Sequence, residues 1–185
     1  MNYKNIMLCV LSVICISLTC NAKPSQNNNN LKVTILSLFS GSTKLTYERL
    51  IVPKQSLEIT GGIIGAGMDI LNHNGAKGAL CRLAYKFIFK EEQQSPLDGF
   101  YVKPELAFSS YSYKYEEERL LVNRLAIMGC TGYQIVKNWF VFDIFAGMGF
   151  GVGDANKSNY HHGYIGFNSS SPFAFTAGFK LGVVF

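Results

Sequence analysis

From Leu31 to Phe185 the chain changes sides at every second residue, and this alternation constrains its fold more than any motif does. In "FAFTAGFKLGVVF", residues 173–185, one set is Phe173, Phe175, Ala177, Phe179, Leu181, Val183 and Phe185. The other is Ala174, Thr176, Gly178, Lys180, Gly182 and Val184. A period of two puts each set on its own face of a β-strand. Phe140, Phe142, Ile144, Ala146, Met148, Phe150 and Val152 likewise oppose Val141, Asp143, Phe145, Gly147, Gly149 and Gly151. Between 79 and 90, Ala79, Cys81, Leu83, Tyr85, Phe87 and Phe89 oppose Arg82, Ala84, Lys86 and Lys90. Between 100 and 109, Phe100, Val102, Leu106 and Phe108 oppose Lys103, Glu105 and Ser109.

No stretch after Leu31 carries a helical period, and turn residues punctuate eight candidate strands: 31–40, 43–52, 56–68, 78–90, 99–113, 119–136, 139–153 and 172–185. The expected fold is all-β, an eight-stranded antiparallel up-and-down barrel over residues 31–185. Several strands exceed the usual five or six residues, and about 9 to 11 suffice to cross a bilayer at a tilt.

Soluble and membrane barrels invert the same pattern, so the small residues decide which face is inside. An eight-stranded interior has room for modest side chains only. The rows of Phe, Leu and Ile would overfill it, whereas Gly62, Ala66, Gly147, Gly149, Gly151, Gly178 and Gly182 suit a cramped lumen. The large apolar side chains therefore point outward, as a bilayer-crossing strand requires, and closure satisfies every backbone group. Charged residues make up 16% of the chain, against about a quarter in soluble domains, which fits this arrangement.

The charges that remain fall on the small-residue face. Lys44, Glu48, Glu58, Arg82, Lys86, Lys103, Glu105, Arg124, Asp143 and Lys180 would meet inside the barrel as mutually neutralising ion pairs and leave no wide pore. Lys44 and Lys180 lie nearest the strand ends, where water is expected to reach them. The formal net charge of +5 is spread without a basic run, so no nucleic-acid footprint is present.

Residues 1–22 read as an export signal: Lys4, the apolar run "IMLCVLSVICISL", and Ala22 as the last residue before cleavage. The run falls short of the ~20 residues that a transmembrane helix needs. The competing reading, lipid attachment at Cys20, is disfavoured by Thr19 and Ser17 at the positions before it. Residues 23–30, "KPSQNNNN", are expected to be a disordered polar linker. Cys81 and Cys130 then remain, and a pair of them is open to either disulfide or isolated burial.

Nothing in the chain carries a catalytic spacing. His73, His161 and His162 all fall in loops, where solvated side chains are expected. Ser169, Ser170 and Ser171 near His162 lack the fixed Ser and His spacing of barrel lipid hydrolases, and no cofactor or metal site is expected. The glycine clusters 61–67 and 147–153 precede no helix, so they serve curvature and lumen space rather than phosphate binding. Tyr85, Tyr101, Tyr111, Tyr133, Trp139 and Tyr164 lie near strand ends and fit interfacial belts. With the N-terminus in the periplasm, the longer connections, 69–78, 113–119 and 154–171, fall outside the cell.

The signal, the eight two-faced strands and the terminal aromatic residue together resemble the small outer-membrane β-barrel proteins of double-membraned bacteria, the OmpA-like and porin-superfamily barrels. "LTYERLIVPKQSLEITGG" (45–62) and "GYQIVKNWFVFDIFAGMGFGVG" (132–153) are similar to hairpins of uncharacterised porin-like members. The resemblance implies a multi-pass protein of the outer membrane, surrounded by its lipids. It also implies that Phe179, Leu181, Val183 and Phe185 form the signal read by the barrel-assembly machinery. The expected role is non-catalytic, structural or through the external loops, with the external ligand open. A narrow porin-like channel or hydrophobic-solute conduit is the alternative; a lipid-modifying enzyme and a secreted lipocalin-like barrel stand behind it.

Overall fold

A computed structural model of the chain describes residues 28–68, 75–89, 95–154, 162, 164–166 and 171–185. The expected export signal, residues 1–22, lies outside the described residues. Strand β1 (Asn29–Thr34) leads into the one-turn helix α1 (Ile35–Phe39). The remaining strands are β2 (Ser42–Val52), β3 (Gln55–Ile64), β4 (Lys77–Phe89), β5 (Gly99–Tyr115), β6 (Glu118–Lys137), β7 (Phe140–Gly153), β8 (Ile165–Gly166) and β9 (Phe173–Val184). Each pairs antiparallel with its neighbour in the order β1 to β7 and then β9, and β9 pairs back onto β1 to close an eight-stranded up-and-down barrel. The two-residue β8 lies on the far side of β9 from β7, with Ile165 opposite Phe175 and Gly166 opposite Ala174.

Burial follows the alternation of the sequence through every long strand. β5 reads buried, exposed, buried, exposed from Gly99 through Ser109, and the pattern persists with one face half-buried beyond it. Tight turns at 53–54, 116–117 and 138–139 fix these registers, and Lys54, Glu116 and Asn138 take the left-handed backbone that such turns demand. Only the last of these is a residue type that adopts it readily. Pro104 sits outward in mid-strand, and with no N–H to give it interrupts the ladder: pairing of β4 with β5 stops at Ala84↔Glu105 and resumes at Phe87↔Val102.

Several elements differ from the sequence expectation. The barrel begins at Asn29, inside the stretch expected to be a linker, because Asn30 turns inward and its amide donates to Glu48 at 2.9 Å. The first strand ends at Thr34 and not at residue 40. There α1 takes over, packing on β2 and β9 with Ser37 inward and its hydroxyl donating to the Thr34 carbonyl. The segment 113–119 is mostly strand: β5 and β6 stay in register to Tyr115↔Glu118 and leave only residues 116–117 as the hairpin tip. Tyr101, Tyr111 and Tyr164 are inside the barrel rather than on a belt, being at most 3% exposed, while Tyr133 and Trp139 do face outward. Phenol rings are admitted inside because Gly132 and Gly151 lie beneath them: a Cβ at Gly132 would sit 2.6 Å from the Tyr101 ring, and one at Gly151 2.9 Å from that of Tyr164.

The interior is layered. Near the end that carries both termini, Ile88, Leu97, Tyr101, Val136, Val141, Phe145 and Val184 pack together, with Leu97 brought in by the connection before β5. Toward the opposite end lie one cluster around Ile64, Leu80, Tyr111 and Tyr113 and another around Met128, Cys130 and Tyr164. The charged residues fill the space between these layers. Cys81 faces out and Cys130 in, so they cannot form a disulfide. Accordingly, of these two thiols the folded protein in detergent should carry a maleimide at Cys81, with Cys130 reacting only after denaturation, and no bond between them should be released on reduction.

Candidate functional site

The middle of the lumen is built from inward positions of all eight wall strands. Glu58 of β3 stands at its centre and accepts from four ammonium groups: Lys32 and Lys86 at 3.3 Å, Lys103 at 2.9 Å, and Lys180 in closest contact. Glu48 of β2 binds Lys32 at 2.7 Å and Lys86 at 2.9 Å, with Ser56 and Asn30 donating to it as well. Asp143 of β7 binds Lys32 at 2.7 Å and accepts a hydrogen bond from the Tyr101 hydroxyl at 2.6 Å. Glu105 of β5 holds Lys103 at 3.1 Å and Arg82 at 2.5 Å, and the Arg82 Nη2 also reaches the Thr176 hydroxyl at 3.0 Å. Gln134 of β6 accepts from Lys32 and Lys86 and donates to the Leu97 carbonyl at 2.8 Å, which ties the charged layer to the apolar one below.

Every one of these charged residues is at most 5% exposed. Removal of so many charges from water costs several kcal/mol per ion, offset here by short contacts in which each carboxylate touches at least two cations. Lys86 also lies 4.1 Å from the Tyr101 ring centroid and Lys180 5.0 Å from that of Phe145, so aromatic faces supplement the carboxylates.

The structure brings Glu48, Glu58, Arg82, Lys86, Lys103, Glu105, Asp143 and Lys180 into one connected cluster. Lys180 is not at a solvated end: β9 continues past it to Val184, and the apolar layer seals it in at 1% exposure. Arg124 stands apart, nearer the loop end, with Nε donating to the Tyr164 hydroxyl at 3.2 Å and Nη1 to the Asp154 carbonyl at 2.9 Å. Lys44 is also buried, not solvated.

Lys32, Tyr101 and Gln134 complete the cluster although no motif marks them. The outward Leu31 and Val33 on either side of Lys32 are the signal that turns it inward; its place at the end of an asparagine run obscures that signal. His162 is buried, with its ring edge-on to Tyr111 at 4.8 Å, against the expectation of a solvated loop residue. His73, His161, Ser169 and Ser170 lie outside the described residues. Among the described residues, no group of three or more His, Cys, Asp or Glu could hold a metal.

No protein-family model matches the sequence, and no curated protein matches it. A solved structure does: the N-terminal β-barrel domain of Pseudomonas aeruginosa OprF superposes with a TM-score of 0.57 at 13% identity, covering 86% of this chain and 98% of that one. This chain has the OmpA-like eight-stranded barrel fold. At that identity the likeness carries the architecture alone, so the roles of side chains in this OmpA-like barrel rest on its own geometry.

That geometry is a closed hub in which the charged groups engage one another. Glu58→Gln removes the charge on which four lysines converge and leaves their mutual repulsion. The variant should lose about 3–5 kcal/mol of unfolding free energy, the range for breaking a buried pair, read by urea titration in detergent or lipid. Ser56→Ala, which deletes one hydroxyl donor to the Glu48 carboxylate, should cost about 1.5–3 kcal/mol, the range for a hydrogen bond to a charged group.

Proposed function

We propose that the protein is a small integral outer-membrane barrel without catalytic activity, acting structurally or through the connections at the end away from its termini. The observation that carries this reading is the outward belt. Ile59, Ile63, Leu83, Leu106, Phe108, Leu121, Ile127, Ile144, Met148, Phe150 and Val152 all stand exposed around the wall, and Met148 reaches 76%. A water-soluble protein rarely exposes contiguous apolar area beyond a few hundred Å², whereas an apolar outward band is what a bilayer-crossing barrel requires. No helix among the described residues is long and apolar enough to cross a membrane.

Tyr133 and Trp139, outward near the terminus end, suit the boundary between hydrocarbon and headgroups, where an apolar ring with a polar tip is comfortable. Phe179, Leu181, Val183 and Phe185 share the outward face of the closing strand. There the barrel-assembly machinery would read them during insertion, and the lipids of the outer membrane would cover them afterwards. A lumen filled by a charged cluster between apolar layers favours a structural or loop-mediated role over conduction.

Expressed in a double-membraned bacterium, the protein should fractionate with the outer membrane and migrate differently in detergent gels before and after boiling. In planar bilayers it should give no large, steady openings. Recovery from the soluble fraction, with identical migration boiled and unboiled, would contradict the membrane reading.

A further inference from the structure

The charges of the lumen do not cancel. Five cations, Lys32, Arg82, Lys86, Lys103 and Lys180, share four carboxylates, Glu48, Glu58, Glu105 and Asp143. Lys44 and Arg124 are buried outside this cluster, as is Asp98, so among the described residues seven buried cations face five buried acids, an excess of two. Among the described residues, Lys44 takes part in no hydrogen bond or ion pair. The Arg82 Nε–H is likewise buried and without a partner, since the contacts of Arg82 with Glu105 and Thr176 use Nη2.

These two unmatched donors are neighbours in the barrel lattice. Lys44 is level with Gly62, and its stem lies over that glycine: a Cβ there would stand 3.1 Å from Lys44 Cγ. The next inward pair on the same two strands is Thr46 and Thr60, and Thr60 is level with Arg82. The Thr46 and Thr60 hydroxyls are 2.8 Å apart and fully or almost fully buried. When one donates to the other, a single hydroxyl hydrogen is left over. An ammonium, a guanidinium N–H and a hydroxyl thus border one region, and among the described residues none of the three is hydrogen-bonded to an acceptor, although Glu105 Oε1 lies beside the Arg82 Nη2.

Among the described residues, the buried acids around Lys44, namely Glu48, Glu58, Glu105 and Asp143, already hold other cations. Asp98 lies at the opposite end, Glu116 to Glu118 are exposed on the hairpin tip, and Asp154 accepts from Asn123 at 2.9 Å. The sequence 155–172 contains no Asp or Glu. An unpaired buried charge is among the most costly features a fold can carry.

We propose that the loop-side half of the lumen binds a small monovalent anion of the chloride class, held by the Lys44 ammonium, the Arg82 Nε–H and the Thr46 and Thr60 hydroxyl pair. A monatomic anion suits the region because it needs little space and accepts from donors in any direction. The site lies inside the barrel and does not depend on where the barrel resides.

The test is thermal unfolding of the full chain in detergent, with sodium gluconate replaced stepwise by sodium chloride or bromide at fixed ionic strength. A ligand that binds only the folded state raises the midpoint, so the proposal predicts a saturating rise with either halide. Lys44→Met should abolish the rise, and Glu117→Gln, at an exposed acid on the hairpin tip of the same end, should leave it intact. Arg82→Lys keeps the charge but removes Nε–H and should weaken the halide response several-fold, which provides a second reading if Lys44→Met does not fold. Equal midpoints in gluconate and halide for the unaltered protein, or a wild-type response in both Lys44→Met and Arg82→Lys, would overturn the proposal. A bromide-soaked crystal should show its anomalous peak between residues 44 and 82; a well-ordered bromide-sensitive crystal without that peak would also overturn it.

Discussion

Four lysines from four different strands close on the Glu58 carboxylate, and the rest of the barrel depends on that convergence. Lys32, Lys86, Lys103 and Lys180 come from β1, β4, β5 and β9, so the one acid on β3 ties together more than half of the wall. Such a hub is weak as a source of net stability, because desolvation consumes most of the Coulombic gain. Its larger effect is on register. A strand that slipped by one residue would turn its lysine to the outside and its leucine or phenylalanine into the lumen, so both faces reject the error together. This matters most for β1, which contributes only six residues to the wall and closes the barrel through five paired positions on β9.

The apolar layers make the hub possible. Below it, Leu97 and its neighbours exclude water from the terminus end, and Gln134 bonds that layer to the lysines. Above it, Tyr111 with His162 and the cluster around Tyr164 cover the loop end. With water excluded from both sides, the ions find their partners in one another. The two tyrosines that reach the charged residues do so over glycines, Tyr101 over Gly132 and Tyr164 over Gly151, so small residues serve here as sockets and not as hinges. The imbalance at Lys44 marks where this self-sufficiency ends.

Much of the fold was legible in the sequence, because a period of two survives from strand to strand and each face has one chemical character. The eight-stranded wall, the antiparallel closure of the last strand onto the first, and the inward direction of Glu58, Asp143 and Lys180 all follow from it. What was not legible has a common cause, namely tertiary context acting on residues whose type is ambiguous. Tyrosine suits both a belt and a tight lumen, and only the glycine on the next strand decides between them for Tyr101. Lys32 falls within the first expected strand, but only the pairing of β2 and β9 on either side of it brings its ammonium to the lumen acids. "ILSLF" carries the alternation of a strand but folds as one helical turn, tied by Ser37 and by the Met68 N–H bond to the Leu38 carbonyl.

The central claim is that the wall faces hydrocarbon while the lumen is dry and held by its own ions. Methyl NMR of the protein in lipid nanodiscs tests it most directly, with a nitroxide carried on the acyl chains compared against a water-soluble gadolinium chelate. The account predicts that Ile59, Leu106, Ile127 and Ile144 broaden with the lipid probe alone, while Leu80, Ile88, Val122 and Val141 are untouched by either. Broadening of the outward methyls by the aqueous chelate would contradict the membrane-facing wall, and broadening of the inward set would contradict the sealed lumen.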